Sequence, residues 1–303
     1  MSRHGHGMPR AQRGIAFVIV LWVLALLAVL LGSFALLART ENLQARHLFD
    51  STRALYAAEA GLNRATYELM QPNPETRWLP DGRVYAFTFD DAAIEVRITD
   101  ESGKIDINAA DVATLDQMFQ SLGIDPLDSA RLADAILDWR DPDDLVMPNG
   151  AEDPDYEAAG LAYGAADAPF TTVTELQQVL GMTYELFQQV EPGITVYTGQ
   201  GQPNASFAPL EALRSLPGMT EEQARLIIEQ RQAWNPTMGG APPLLPDGTP
   251  LMVQGGTGTY SIESRATLPN GAWTRLHSTV RIGGAGVSGL AYTVLRWEDG
   301  EPL

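Results

Sequence analysis

Residues 15–38 form a run without a single charged side chain, and this run constrains the fold more than any other part of the chain. As an α-helix, a run of this length extends for about 36 Å, which is enough to cross the hydrocarbon core of a bilayer. Arginines precede it and a strongly acidic sequence follows, with a net charge of -18 for the whole chain. The positive-inside rule therefore predicts a cytoplasmic N-terminus, one transmembrane helix and a large domain on the opposite side of the membrane.

Three kinds of targeting segment contain such a run. A cleaved secretory signal peptide has a shorter apolar core followed by a small-residue cleavage site, and residues 35–38 (Ala-Leu-Leu-Ala) make a poor site. An ordinary signal anchor and a leader that is cut before the apolar run both remain open. The sequence around the start of the run favours the leader, because Gly14 follows a basic residue and Ile15 begins the apolar run. The predicted processing site lies between Gly14 and Ile15.

The helix is predicted to continue well past the apolar run. Neither proline nor glycine occurs between Ser33 and Ala60. The prolines at residues 71–74 predict where the helix ends. Such a helix would leave the membrane and pack against a globular domain. Apolar residues recur along it at helical spacing, including Leu48, Leu55, Ala58 and Leu62.

The leader junction, the uninterrupted helix and residues 57–61 (Ala-Ala-Glu-Ala-Gly) resemble those of type IV pilins and type II secretion pseudopilins. In that family the fifth mature residue is usually Glu, which neutralises the N-terminal amine of a neighbouring subunit. Here the fifth residue counted from Ile15 is Ile19. The member that typically lacks this Glu is the minor pseudopilin K of the type II secretion system (general secretion pathway protein K), which is also large. The resemblance therefore points to the K family.

Strand patterns occur on both sides of a helical block. Before the block, residues 83–89 and 94–98 alternate as the two arms of a hairpin. After the block, the turn signal Pro269-Asn270-Gly271 separates two further strand candidates, and a third follows. These later candidates are residues 260–266, 273–282 and 292–297. The order predicts a small antiparallel sheet whose sequence is interrupted by helices.

The block from Asn108 to about Gln232 is helical in short pieces. Asn108 is the predicted N-cap of its first helix, whose apolar stripe consists of Leu115, Met118, Phe119 and Leu122. The predicted class is α+β: a long transmembrane and stalk helix and a pilin-like antiparallel sheet with a large inserted all-α domain. The resemblance implies the same architecture. The predicted parts are a leader at 1–14, a transmembrane helix at 15–38, a stalk at 39–71, strands at 72–108, the helical domain at 109–235 and strands at 236–303.

Residues 213–219 (Leu-Arg-Ser-Leu-Pro-Gly-Met) resemble a helix-hairpin-helix motif, whose turn can offer backbone amides to a nucleic-acid phosphate. Such motifs normally act within a basic surface. The surroundings here are acidic, with Glu211, Glu221, Glu222 and Glu229 close by in the sequence. Helix packing is therefore the preferred interpretation over DNA binding, and no nucleic-acid partner is expected.

The densest charge lies in residues 138–144 (DWRDPDD) and 150–156 (GAEDPDY). Carboxylates at this density would repel one another in a folded loop that held no cation. Ca²⁺ takes about six to eight oxygen ligands, often from alternating loop acids such as those of Asp141-Pro142-Asp143. A solvated acidic loop is the alternative. Spacing alone does not decide between them, because the segment is not an EF-hand.

The resemblance adds a ligand set for this loop. Members of the K family have a similar series of acids and bind calcium there, which implies a structural Ca²⁺ in this chain. Asp144 is expected to face solvent. A metal would pin a long loop in a chain that has no cysteine for disulfides. The implied ligands are Asp141, Asp143, Glu152 and Asp153, with Asp138 and Asp155 as secondary candidates.

The composition argues against an enzyme. Cysteine is absent, which excludes a thiol nucleophile, and of the four histidines only His277 lies in the predicted folded domain. Paired carboxylates also act as acid and base in glycosidases. The aromatic residues near the acids are expected to pack internally instead of binding a sugar; they are Trp139, Tyr156 and Tyr163.

The resemblance implies a minor pseudopilin of the type II protein secretion system, anchored in the bacterial inner membrane with its C-terminal domain in the periplasm. The missing acid at Ile19 and the bulky helical domain favour a place at the tip of the pseudopilus, where the subunit initiates or caps assembly. The implied partners are the minor pseudopilins I and J and the inner-membrane assembly platform. The alternative is a stand-alone membrane-anchored binding module in the periplasm.

Overall fold

The computed structural model describes residues 13–73, 76–235, 240–251, 256–283 and 291–300. Residues up to Arg53 form one unit, and Ala54 with the residues after it forms a second, larger unit. Residues 1–12 of the predicted leader lie outside the described residues, as does Pro74 of the predicted helix end.

Helix α1 extends over Arg13–Leu69. Within the described part of the chain it is the one helix long and apolar enough to cross a membrane, and its most apolar window has a mean hydropathy of 2.8. The large apolar side chains from Phe17 to Leu37 are exposed, as a membrane-spanning surface requires. The prediction of an uninterrupted helix beyond the apolar run is confirmed, and the helix ends just before the predicted prolines.

In the second unit, the last turns of α1 pack on an antiparallel sheet. The buried face of the helix begins at Ala54 and is rich in alanine, so the helix lies close to the strands. Gly61 marks the closest approach, because a Cβ there would collide with the hydroxyl of Ser264 and the side chain of Ile94. Leu48, which periodicity assigned to the buried stripe, is exposed; it belongs to the first unit.

The sheet has five strands in the order β1-β2-β5-β6-β7, and every neighbouring pair is antiparallel. Its inner face carries alternating apolar residues such as Ile94, Val96 and Ile98, which form one core with α1. All five strands that the alternation predicted are present. They are β1 Asp81–Phe89, β2 Ala92–Asp100, β5 Thr259–Thr267, β6 Trp273–Ile282 and β7 Tyr292–Gly300.

The helices are inserted between β2 and β5, which are neighbours in the sheet. They are α2 Val112–Ser121, α3 Pro126–Arg140, α4 Asp153–Ala158, α5 Tyr184–Val190, α6 Leu210–Leu213 and α7 Glu221–Ala233. Three 3-10 helices lie at Glu101–Gly103, Val173–Gln178 and Glu191–Gly193. A short parallel pair, β3 Ile105–Asp106 with β4 Ile194–Thr195, has no counterpart among the predicted strands. The α+β class with an all-α insertion is confirmed.

Asn108 is not the N-cap of α2. That position belongs to Asp111, whose side chain accepts the N–H of Thr114. The amide of Asn108 instead holds the backbone of Phe170, donating to its carbonyl at 2.9 Å and accepting its N–H at 2.8 Å. The local sequence contains no sign of this distant partner, which is why the capping rule failed here.

The helix-hairpin-helix-like segment connects α6 and α7 through a turn at Gly218, whose φ is 73°. Thr220 then caps α7 and forms a capping box with Gln223. Leu213 is buried in the helical core, and Glu221 at the start of α7 pairs with Arg225. The motif therefore contributes an apolar side chain to the helical core; the absence of a nucleic-acid partner stays a prediction.

A buried arginine joins the helical insertion to the sheet. Arg231 of α7 donates to the carbonyl oxygens of Ala205, Ala208 and Asp81, and the last of these lies in β1. Burial lowers the pKa of Arg231 to about 10. The Asp81 carboxylate in turn pairs with Arg83 at 2.7 Å.

A buried carboxylate makes the second connection. Glu101 pairs with Lys104 at 2.6 Å and accepts the hydroxyls of Thr195 in β4 and Ser261 in β5, each at 2.5 Å. Both carboxylate oxygens thus have partners from three parts of the chain. The Arg231 and Glu101 networks together are called the helix–sheet junction below.

Candidate metal site

The acidic loop, residues 138–156, begins in the last turn of α3 and ends in α4. Asp125 caps α3 ahead of Pro126, which suits the first helical position. The helix ends at Arg140, and Asp141 is its C-cap. Helix α4 was not predicted, since its residues were interpreted as loop; Asp155 supports its start by accepting the N–H of Glu152 at 3.1 Å.

Asp138 holds the loop in place. Its buried carboxylate accepts the N–H of Met147 at 3.1 Å and that of Ala151 at 2.8 Å. Gly150 lies against the same carboxylate, where any Cβ would collide with it. The pKa of Asp138 is raised to about 6, chiefly by desolvation and further by the charges of Asp141 and Asp134. The two backbone hydrogen bonds lower it, but by less.

Asp134, one helical turn before Asp138, is a second anchor that the sequence reasoning missed. It is buried, and its carboxylate accepts the backbone N–H and the side-chain amide of Asn149, each at 3.0 Å. Its spacing of four residues from Asp138 was a usable signal, because it places both acids on one side of α3. Together the two side chains fix the backbone of residues 147–151.

Glu152 and Asp141 each carry a buried oxygen without a hydrogen-bond partner, Oε1 and Oδ1 respectively. Glu152 is 5% exposed. Its pKa is raised to about 7, chiefly by desolvation. Smaller contributions in the same direction come from the negative charges of Asp138, Asp167, Asp141 and Asp144. A buried carboxylate with an unsatisfied oxygen and only negative neighbours favours either a proton or a cation.

The remaining predicted ligands lie at the rim of the loop and are exposed. Asp143 accepts the N–H of Leu145 at 3.0 Å, and Asp155 caps α4. Asp153 packs against Gly164, where a side chain would collide with its carboxylate. Asp144 is exposed, as expected.

Asp167 belongs to the same electrostatic group and was not predicted. Its backbone has a positive φ of 49°, a conformation that Asp adopts more readily than most residues. Its pKa is raised by desolvation and then by the charges of Asp144, Asp153 and Asp141. It follows the loop by more than ten residues, so only the fold brings its charge to the site.

The loop has no cationic partner among the described residues: no Lys or Arg there forms an ion pair with its carboxylates. The nearest arginine in sequence, Arg140, instead donates to the backbone carbonyls of Ile107 and Ala110. Arg140 lies within the loop and its charge acts on Asp141, but no ion pair among the described residues neutralises the loop carboxylates.

An aromatic cluster backs the loop. Trp139 stacks with Phe170 at 6.1 Å between ring centroids and meets Tyr156 at 5.9 Å. Tyr156 is buried and accepts the N–H of Leu180, while Tyr163 is partly exposed at the edge of the cluster. These rings pack together as predicted for core residues.

The donor chemistry fits a hard divalent cation. Two buried carboxylate oxygens lack partners, and the rim supplies further carboxylates. The site is not preformed: within the described ranges no three acidic or histidine side chains converge as a ready-made metal site. Binding would therefore require rim side chains to turn towards Glu152 and Asp141.

A family model described as type II secretion system (T2SS), protein K, matches residues 96–200, a range that includes the whole acidic loop. Type II secretion system protein K of Klebsiella pneumoniae is 30% identical over 207 residues, which cover 61% of this chain and 63% of that protein. The protein of the same name from Pectobacterium carotovorum subsp. carotovorum is 25% identical over 270 residues, covering 77% of this chain and 78% of that protein. The match to the Klebsiella protein thus spans less than two thirds of its length.

A similar fold occurs in a solved structure of the GspK-GspI-GspJ complex from the type 2 secretion system of enterotoxigenic Escherichia coli. The TM-score is 0.55 at 18% sequence identity, and the match covers 88% of this chain and 99% of that chain. At this identity the likeness concerns the fold alone.

Proposed function

We propose that this chain belongs to the type II secretion system protein K family and is a minor pseudopilin of a type II protein secretion system, because a family model and several relatives of that name match it. The proposal includes an inner-membrane anchor and a periplasmic C-terminal domain. It includes processing between Gly14 and Ile15, with methylation of the new N-terminus. Its role is mechanical, and the prediction that it is not an enzyme accompanies it.

Helix α1 is the observation that carries this proposal. One continuous helix contains both a segment apolar enough to cross a membrane and an alanine-rich face that packs under an antiparallel sheet. A secreted or cytoplasmic binding protein has no use for the first property, and a plain signal anchor does not require the second. A filament subunit uses both.

The proposed partners are the minor pseudopilins I and J and the inner-membrane assembly platform. The support is the fold shared with a chain of the solved GspK-GspI-GspJ complex. Tip placement is supported by the insertion between β2 and β5, which adds six helices at one end of two central strands, and by Ile19 in place of the usual acid.

We also propose that the acidic loop binds structural Ca²⁺. The unpartnered oxygens of Asp141 and Glu152 support this, with Asp143, Asp153, Asp155 and Asp167 at the rim. When bound, the ion would supply positive charge to these carboxylates and would fix the loop against α3. Asp138 already uses its oxygens to hold the backbone, so its contribution would be to shape the loop.

The direct test is copurification of the tagged full chain from membranes that also contain minor pseudopilins I and J. The expected result is a stable complex of all three. A chain that is extracted alone, while I and J still associate with each other, would support the stand-alone binding module instead.

The mass of the N-terminal peptide gives an independent test. With prepilin peptidase present, the expected mature chain begins at Ile15 and is N-methylated. An unprocessed N-terminus under these conditions would contradict the pseudopilin assignment. Ile19→Glu is expected to change assembly or membrane extraction, and Ile19→Val serves as the matched control.

A further inference from the structure

Two apolar side chains stand at the apex of the acidic loop. Leu145 exposes 77% of its surface and its neighbour Val146 exposes 55%. No other large apolar side chain among the described residues is more exposed than Leu145. Exposed apolar groups that stand together commonly mark a contact surface.

The backbone around this apex is held on both sides. Asp143 accepts the N–H of Leu145 at 3.0 Å, and Asp138 accepts the N–H of Met147 at 3.1 Å. Asp134 then secures Asn149 through two further hydrogen bonds. Leu145 and Val146 are thus presented to water by a backbone that is anchored on both sides.

The apex adjoins the proposed cation site. Asp143, one of the proposed ligands, lies two residues before Leu145 and accepts its N–H at 3.0 Å. The Oε1 atom of Glu152 is buried and has no partner, so the cluster has an unsatisfied ligand atom as well as negative charge. Ca²⁺ commonly includes water among its roughly six to eight oxygen ligands, and an oxygen from outside the chain could take the place of such a water.

We propose that the loop apex, residues 143–147, docks on a phospholipid bilayer when Ca²⁺ occupies the acidic loop, an inference that rests on the proposed cation site. A phosphate oxygen of a headgroup would complete the coordination of the ion. Leu145 and Val146 would enter the boundary between headgroups and acyl chains. Without the ion, the acidic loop is repelled by anionic headgroups.

The size and shape of the apex favour a bilayer over a protein. A stable protein interface buries about 800 Å² on each partner and involves about 20 residues or more. The apex offers two adjacent apolar side chains between carboxylates. Shallow insertion beside a bridging cation needs no larger surface, and the apolar segment of α1 indicates that a bilayer is part of the environment of this chain.

The absence of cysteine allows a clean test. Val146→Cys in the full-length chain provides a single site for a polarity-sensitive fluorophore. The labelled chain, embedded in phosphatidylcholine nanodiscs, is mixed with separate vesicles of phosphatidylethanolamine and phosphatidylglycerol in millimolar Ca²⁺ or in chelator. With vesicles and Ca²⁺, we expect the emission to shift to the blue and spin-labelled lipid to quench it. With vesicles and chelator, we expect neither change. The control is Leu226→Cys, which labels another exposed apolar position, on α7, and is expected to give no response.

The unlabelled Leu145→Ser/Val146→Ser variant measures the apolar contribution. Its vesicle affinity is expected to fall about tenfold or more, while calorimetric Ca²⁺ binding is unchanged; Leu226→Ser is expected to change neither. Vesicle binding that survives the double substitution or the chelator overturns the proposal. So does a label that responds to minor pseudopilins I and J without vesicles. Ca²⁺ binding without any vesicle response rejects docking but leaves the cation site intact, whereas absent Ca²⁺ binding rejects both.

Discussion

The acidic loop and the helix–sheet junction both contain buried ionisable groups, but the two regions differ in how far hydrogen bonds and ion pairs satisfy the charged atoms. At the junction, Arg231 donates to three carbonyls, and both oxygens of Glu101 have partners. In the loop, the buried oxygens of Glu152 and Asp141 have none. At the junction the one unpartnered atom of these two residues is a donor, the Nε of Arg231, whereas the unpartnered atoms of the loop are carboxylate oxygens, which a cation could bind.

This difference separates structural charge from charge available for binding. Burying an ion without partners is costly, so a fold retains such a group only where another contribution offsets the cost. The Glu101 and Lys104 pair offsets its own desolvation internally. Glu152 instead depends on a proton or a cation, which makes the stability of the loop a function of the solution around it.

The largest expected effect is at the junction. Arg231→Met would leave the carbonyls of Ala205, Ala208 and Asp81 without their donor, and the free energy of unfolding is expected to fall by about 3 kcal/mol or more. Denaturant unfolding of the detergent-solubilised chain measures this, with and without Ca²⁺. Arg225→Ala removes an exposed ion pair on the same helix and is expected to leave stability unchanged. Equal losses in both variants would remove the distinction between the two kinds of charge.

The second effect is stabilisation of the loop by Ca²⁺. At about 100 times its dissociation constant, the ion is expected to raise the free energy of unfolding by about 2.7 kcal/mol. Glu152→Gln should abolish most of this gain and should stabilise the ion-free chain at neutral pH, because it removes repulsion from Asp138 and Asp141. Thermal unfolding in Ca²⁺ and in chelator measures both quantities. A destabilised ion-free Glu152→Gln chain would mean that this carboxylate has a structural role.

The third effect is a pH dependence in chelator. The folded pKa of Glu152 is raised from 4.5 to about 7 and that of Asp138 from 3.8 to about 6. A raised folded pKa means that the folded chain binds the proton more tightly, so stability is greatest below the unfolded values. It is expected to fall by about 1–3 kcal/mol as the pH rises from 3.8, the lower unfolded value, to about 7, the higher folded value. Ca²⁺ should remove this dependence of the free energy of unfolding on pH, and Glu152→Gln should reduce it. If the dependence persists both in Ca²⁺ and in the variant, it arises from other groups.

The smallest effect compares the buried and exposed acids of the loop. Asp141→Asn alters a carboxylate with a buried unpartnered oxygen and is expected to weaken Ca²⁺ affinity by about tenfold or more. Asp144→Asn alters an exposed acid and is expected to weaken it less than tenfold. Calorimetric titration distinguishes them. Indistinguishable losses would favour a diffuse ion atmosphere over a site.

Local patterns predicted most of the fold. Alternation identified all five strands of the sheet, and helical spacing identified Leu115, Met118 and Phe119 as one apolar stripe, which is buried. The misses depend on contacts between distant parts of the chain. Asn108 holds Phe170, and the β3–β4 pair joins Ile105 with Ile194. No rule based on neighbouring residues contains these partners.

The candidate site shows the same limit. Composition identified the acids of residues 138–156, and the fold then assigns them different tasks: Asp138 holds the backbone while Glu152 keeps an unsatisfied oxygen. Asp134 was recognisable from helical spacing. Asp167 was not, because its relation to the loop depends on the path of the chain between them.

The insertion between β2 and β5 has a consequence for the order of folding. Asp100 in β2 is paired with Tyr260 in β5, so this contact closes a loop of roughly 160 residues. A chain that emerges from its N-terminus presents α1 and the β1–β2 hairpin long before β5 exists. Until then, the alanine-rich face of α1 and the free edge of β2 lack their final cover. Completion of the sheet is therefore a late event, and the helical insertion has time to form its own core first.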